Sequence, residues 1–131
     1  MKTFLSSKQK ERFELQAHVN IIGNDILVVL LGGSAHIGAV AMAQPRASLA
    51  DPQKAGATSS VYTYVGHKED MIAKTMAEKL ARGLNRKVVV VAGIHWDDLK
   101  EEEIAIIVNM CPEITQDVMN ELLQIPSGTD I

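Results

Sequence analysis

An α+β domain, mainly one antiparallel sheet with helices packed on one face, is the fold class that this 131-residue sequence predicts. Three observations carry it. Residues 13 to 21 alternate apolar and polar, residues 26 to 31 are apolar at every position, and the second half of the chain has two stretches with apolar residues at spacing four, on either side of a β-branched run. Alternation marks a strand with one buried and one wet face, and spacing of three to four marks a helix with an apolar stripe. A hairpin followed by mixed elements gives one sheet with helices laid on it.

In the first strand Phe13, Leu15, Ala17, Val19 and Ile21 fall on one side, and Glu14, Gln16, His18 and Asn20 on the other. Gly23-Asn24 then suits a two-residue hairpin turn, because both residues tolerate positive φ. Ile26 to Leu31 reads as the returning strand, nearer the centre of the sheet because it is apolar on both faces. Beyond Gly32-Gly33, Ile37 to Ala43 reads as a third strand of small residues. Gln44 to Ser60, with Pro45, Pro52 and Gly56, is expected to be a long loop. Val61 to Val65 has the β propensity of a short strand. Lys68 to Leu84 predicts a helix with Ile72, Met76, Leu80 and Leu84 on one stripe and Glu69, Lys74, Glu78 and Lys79 free to face water, ended by Gly83 and Asn85. Lys87 to Gly93 predicts a central strand. Asp98 to Glu101 reads as the capping signal of a second helix, which Cys111-Pro112 is expected to interrupt before Ile114, Val118 and Leu122 resume the stripe. The other face of the sheet then has to be covered or stay polar.

Composition narrows the class. With 47% apolar and 22% charged residues the chain is globular, and residues 1–131 form a single domain with room for one hydrophobic core. A net charge of −3 without a basic block argues against a nucleic-acid surface. A single cysteine, Cys111, makes neither an intramolecular disulfide nor a cysteine-based zinc site. The opening MKTFLSSKQKERFE lacks the apolar stretch of a signal peptide, and Ile26 to Leu31 is too short to span a bilayer. The expectation is a cytoplasmic protein without membrane contact.

Four histidines are candidates for chemistry. His18 lies on the polar face of its strand and reads as solvated. His36, His67 and His95 each follow a glycine at an element boundary, in Gly33-Ser34-Ala35-His36, Gly66-His67 and Gly93-Ile94-His95. Functional side chains concentrate at such strand ends, where glycine permits sharp turns and close approach. Three chemistries stay open. The histidines could bind a metal, although neither H-x-H nor HExxH spacing is present. Ser34 beside His36 invites nucleophilic catalysis, but GGSAH lacks the G-x-S-x-G setting. Glycine amides, histidine and Lys68 could hold an anion near a helix N-terminus, although GGSAHIG is neither a Walker loop nor a dinucleotide fingerprint. The plain alternative for Gly32-Gly33 is a turn, and for Trp96 a core or interface anchor.

Taken in order, LLGGSAHIGAV, GHKEDMIAKTMAEKLAR and VVVVAGIHWDDLKEEEIA resemble the LpdD-like family of small proteins associated with gallate decarboxylase, over roughly residues 13 to 123. The resemblance implies a fold similar to proteasome-assembly chaperones and a homodimer. It implies a non-catalytic chaperone that binds reduced prenylated flavin mononucleotide (FMN) and helps load a UbiD-type hydroxyaryl acid decarboxylase. The cofactor-binding residues it implies are Gly32, Gly33, His36, Ile37 and Gly38, then His67 and Lys68, then His95, with no catalytic residue and no metal ligand. Two other classes stay beside it: a small histidine-based hydrolase or lyase, with or without a metal, and an assembly factor whose glycine loops only shape an interface. On the carrier reading, alanine at His36 or Lys68 is expected to weaken ligand binding about tenfold or more with little change in stability.

Overall fold

The computed structural model describes residues 1–64 and 69–126. Its elements run β1 (Lys2–Lys10), β2 (Phe13–Ile22), β3 (Asp25–Gly33), β4 (Ala39–Ala47), β5 (Ala55–Thr63), α1 (Asp70–Leu84), β6 (Val88–His95) and α2 (Glu101–Leu123). The six strands form one sheet in the order β1-β2-β3-β6-β4-β5. Every neighbouring pair is antiparallel except β3 with β6, which run parallel in the middle of the sheet. This is the mainly antiparallel α+β class that the patterning predicts.

One face of the sheet is built from the alternating residues. Phe13, Leu15, Ala17, Val19 and Ile21 of β2 join Ile26, Val28 and Leu30 of β3, the alanines of β4, and Val88, Val90 and Ala92 of β6 in a single buried core. Both helices cover that face. α1 lies on β4, β5 and β6 and contributes Ala73, Met76, Ala77, Leu80 and Ala81. α2 lies on β1 and β2, beside α1, and contributes Ile107, Met110, Ile114, Val118 and Leu122. The alanines of β4 and α1 let helix and sheet approach closely on this side. Neither of the described helices covers the opposite face, and its centre is apolar: Leu27, Val29, Val40, Met42, Val89 and Val91 alternate with the core residues.

Several expectations are corrected. β1 is a strand without an apolar run. It is an edge strand, and Lys2, Lys8 and Lys10 are of the kind that protects such edges from further pairing. Lys8 also pairs with Asp117 of α2 at 3.0 Å. Gln44 to Ser60 is mostly not a loop. β4 continues to Ala47, and β5 returns from Ala55. Pro45 is tolerated because the last β4–β6 pair is Ala43 with Val88, so beyond it β4 has a partner on one side only. The third strand starts at Ala39, leaving Ile37 in the preceding turn. α1 starts at Asp70 and ends as expected, with Asn85 in the left-handed conformation (φ 55°).

The second helix is capped differently and is not broken. Lys100 is its N-cap, and the Glu103 carboxylate accepts the Lys100 N–H at 3.0 Å. Asp98 instead takes a positive φ in the loop before it. Pro112 stands inside a continuous 23-residue helix. Its missing N–H removes the usual partner of the Val108 carbonyl, but Pro112 and Val108 are both exposed residues on the side of the helix open to solvent, where the loss of one backbone bond is least costly.

Candidate functional site

The chemistry-bearing residues gather at one end of the sheet. The parallel pair β3 and β6 both finish there, at Gly33 and His95, which are register partners. β4 begins there, and residues 34–38 make the turn between β3 and β4. Ser34 N–H donates to the His95 carbonyl and Gly38 N–H to the Ala92 carbonyl, each at 2.9 Å, so both ends of the turn are tied to β6. Gly33 takes φ +69°, which an L side chain rarely adopts. Gly93 answers a different demand. A Cβ there would lie 1.7 Å from the His36 carbonyl oxygen, so only glycine lets the turn rest on β6.

His36 is the pivot of this end. Its Nδ1 is 2.8 Å from the Ser34 carbonyl and its Nε2 is 2.9 Å from Glu69 Oε1. Both partners are acceptors, so both bonds form together only when the ring carries two protons. The Ser34 carbonyl raises the imidazole pKa above its ordinary value. Partial burial opposes this, and the Glu69 carboxylate reinforces it by hydrogen bond and charge. Glu69 stands just before α1 and is 6% exposed. Its Oε1 also accepts the Ile94 N–H at 3.4 Å, and its Oε2 has no hydrogen-bond partner among the described residues. The carboxylate therefore joins the β3–β4 turn, the end of β6 and the start of α1.

His95 stands beside this pair. Its ring centroid is 6.4 Å from that of His36, edge to face, and its Nε2 is 2.9 Å from Asp97 Oδ1. The His95 side chain is 55% exposed, against 20% for His36, so of these two imidazoles His95 is the more open to solvent. Ile37 is exposed on the turn. Tyr64 is tied to Gly38 through its N–H, and its ring meets that of Tyr62 edge to face at 5.5 Å. Trp96 packs its indole over Gly32 and against Phe13, at 5.1 Å between centroids. It is an anchor holding the end of β6 to the core.

The structure thus brings together Gly32, Gly33, His36, Ile37, Gly38 and His95. His67 and Lys68 lie outside the described residues. His18 is on the uncovered face of β2, 3.2 Å from Gln16, away from this cluster. Asp97 was not singled out in the sequence, and Glu69 was expected to face water; the structure instead buries Glu69 against His36 and the end of β6. Glu69 falls at the opening of the predicted helix, where a carboxylate reads as a solvated residue. Among the described residues no group of three or more histidine, cysteine, aspartate or glutamate side chains could hold a metal ion. None of the described helices is long and apolar enough to cross a membrane. A groove of about 760 Å³ opens at the opposite end of the sheet, between Leu27, Met42 and Val89. Its one lysine, Lys87, faces Asp25 at 3.5 Å, and it has no histidine.

Comparison with known proteins gives three findings. Residues 9–123 match the prenylated flavin chaperone LpdD-like domain. Protein LpdD of Lactiplantibacillus plantarum is 26% identical over 123 residues, covering 93% of this chain and 85% of that protein. A chain from a chaperone complex for yeast 20S proteasome assembly aligns with 86% of this chain and 96% of its own length, with a TM-score of 0.46 and 16% identity.

Proposed function

Because the chain belongs to the prenylated flavin chaperone LpdD-like family, we propose that it is a non-catalytic carrier of reduced prenylated FMN that helps load a UbiD-type decarboxylase. The observation that best supports this reading is the geometry of His36. Both of its ring nitrogens face acceptors, the Ser34 carbonyl and Glu69, and a ring that donates to both keeps no lone pair with which to act as a base. The cluster is built to hold a shape and a charge. A histidine-based hydrolase or lyase needs the opposite, an imidazole poised to accept a proton.

The residues present fit a flavin nucleotide. Such a ligand needs a cation or donors for its phosphate and an apolar wall for its ring system. His95 is exposed and can donate to a phosphate, and His67 and Lys68 are proposed to join it. Ile37 and Tyr64 offer exposed apolar and aromatic surface beside the same turn. When bound, the reduced prenylated flavin supplies the electron-rich ring that the decarboxylase uses. The carrier's own residues bind and orient it and keep it accessible at the end of the sheet.

The proposed assembly is a homodimer in the cytoplasm, formed through the uncovered face. A contiguous apolar patch in water marks an association surface, and two cross-strand rows, Leu27–Val89–Met42 and Val29–Val91–Val40, form one across β3, β6 and β4. Anaerobic titration with reduced prenylated FMN, with reduced and oxidised FMN alongside, tests the carrier reading. Saturable binding with preference for the reduced prenylated form is expected. Absence of saturable binding to any flavin nucleotide removes the reading, and stoichiometric zinc or iron in the purified protein would favour the hydrolase class.

A further inference from the structure

We propose that Glu69 is the positioning residue of the ligand site: it holds the His36 ring and the residue 34–38 turn in place, and it makes binding of an anionic ligand depend on the His36 proton. The inference rests on the carrier reading for its ligand and on geometry for the rest. Glu69 is buried, and its Oε1 is shared between His36 Nε2 and the Ile94 N–H. Its Oε2 is enclosed without a hydrogen-bond partner among the described residues, packed where Gly38 lacks a side chain. Among the described residues, the charge that compensates a carboxylate so placed is the imidazolium it touches.

The protonation state of the pair follows. With His36 doubly protonated, Glu69 and His36 together are neutral, and the turn is pinned to α1 and β6. When His36 loses its proton, the bond to Glu69 weakens. A buried negative charge is then left beside the turn, and it repels a phosphate. Among the described residues, the other titratable groups at this end are His95, the exposed Asp97 bonded to it, and Asp70 in the first turn of α1. Only His36 has both ring nitrogens placed on acceptors by the described contacts.

The test uses the full chain, with FMN as an air-stable probe. His36 is titrated by NMR in the wild type and in Glu69→Gln, and FMN affinity is measured across pH 6 to 9 in both proteins at constant ionic strength. The phosphate ionises near pH ~6 by itself, but this contribution is common to both proteins and drops out of the comparison. Expected in the wild type are a His36 titration above the ordinary imidazole range and a fall in FMN affinity as pH rises through it. In Glu69→Gln the His36 titration moves down by about one unit or more, and the fall in affinity flattens. Each unit of His36 shift on ligand binding corresponds to about a tenfold change in affinity. A wild-type His36 that titrates at or below the ordinary value overturns the inference, and this holds even if the variant does not fold. An unchanged titration in Glu69→Gln overturns it too, as does an unchanged affinity profile. If neither protein binds FMN or the prenylated form while the His36 titrations behave as stated, the carrier reading fails, and the ligand half of the inference falls with it.

Discussion

Gly93→Ala puts the construction of the site under direct strain. The new methyl would lie 1.7 Å from the His36 carbonyl oxygen, 2.7 Å from its carbon and 3.2 Å from its nitrogen. These are backbone atoms, which cannot swing aside as a side chain can. To restore van der Waals contact the turn must retreat by more than an ångström. The His36–Glu69 hydrogen bond is 2.9 Å long, and a shift of that size breaks it. A bond to a charged group contributes about 1.5–3 kcal/mol, and Glu69 would be left as a buried, uncompensated carboxylate. The expected loss is about 3 kcal/mol, or about 10 °C in Tm for a chain of this length. Urea unfolding followed by circular dichroism measures it, with the His36 titration as the local readout. Gly23→Ala is the control. Gly23 has φ +61° and open space around it, so only left-handed strain of about 1 kcal/mol is expected there. If Gly93→Ala unfolds within about 0.5 kcal/mol of the wild type and leaves the His36 titration in place, the close packing of turn on β6 is wrong.

Other outcomes follow from the same geometry. His36→Ala should cost about 3 kcal/mol near pH 6, because it strands Glu69; this revises the expectation that stability changes little. The folded-state His36 pKa is raised, so the stabilisation is full below about pH 6.5 and fades as pH rises through the folded value. The gap between wild type and variant should therefore narrow toward pH 9, and a gap that widens would contradict the ion pair. Burial pushes the Cys111 thiol up to about 11, and its S–H donates to the Ile107 carbonyl. Disulfide-exchange reagents at pH 8 should label it slowly in the native protein and fast in urea. Val89→Glu on the uncovered face should shift the proposed homodimer to monomer in sedimentation experiments while the fold persists; a dimer left unchanged by it would exclude this face as the interface.

The sequence by itself determined where most elements lie and which side of each is buried. Alternation in Phe13–Ile21 names the residues of β2 that meet the helices, since a strand has only two faces and one of them carried every apolar side chain. The run Val88 to Val91 announced a central strand because no position in it suits water. The elements that escaped did so for physical reasons. β1 is held by backbone pairing to β2 at an edge and needs little apolar side-chain burial of its own, so its lysines hid it. The far half of the β4–β5 hairpin is a ladder of small and polar residues around Pro45, stabilised by the partner strand rather than by its own pattern. Pro112 signals a break by its chemistry, yet α2 continues because the lost backbone bond lies on the side of the helix open to solvent.

The candidate site divides the same way. Three glycine–histidine motifs in order were legible as a resemblance, and the strand ends that carry two of them were legible as boundaries. That β3 and β6 run parallel side by side, so that Gly33 and His95 become partners and His36 comes to 6.4 Å from His95, is a property of sheet order, to which local sequence is blind. Glu69 was invisible for the same reason. It is 33 residues from His36, and its role exists only once the turn and the start of α1 meet over β6. Local propensity acts over a few residues, whereas the His36–Glu69 pair is made by contacts the chain closes only when the whole sheet has formed.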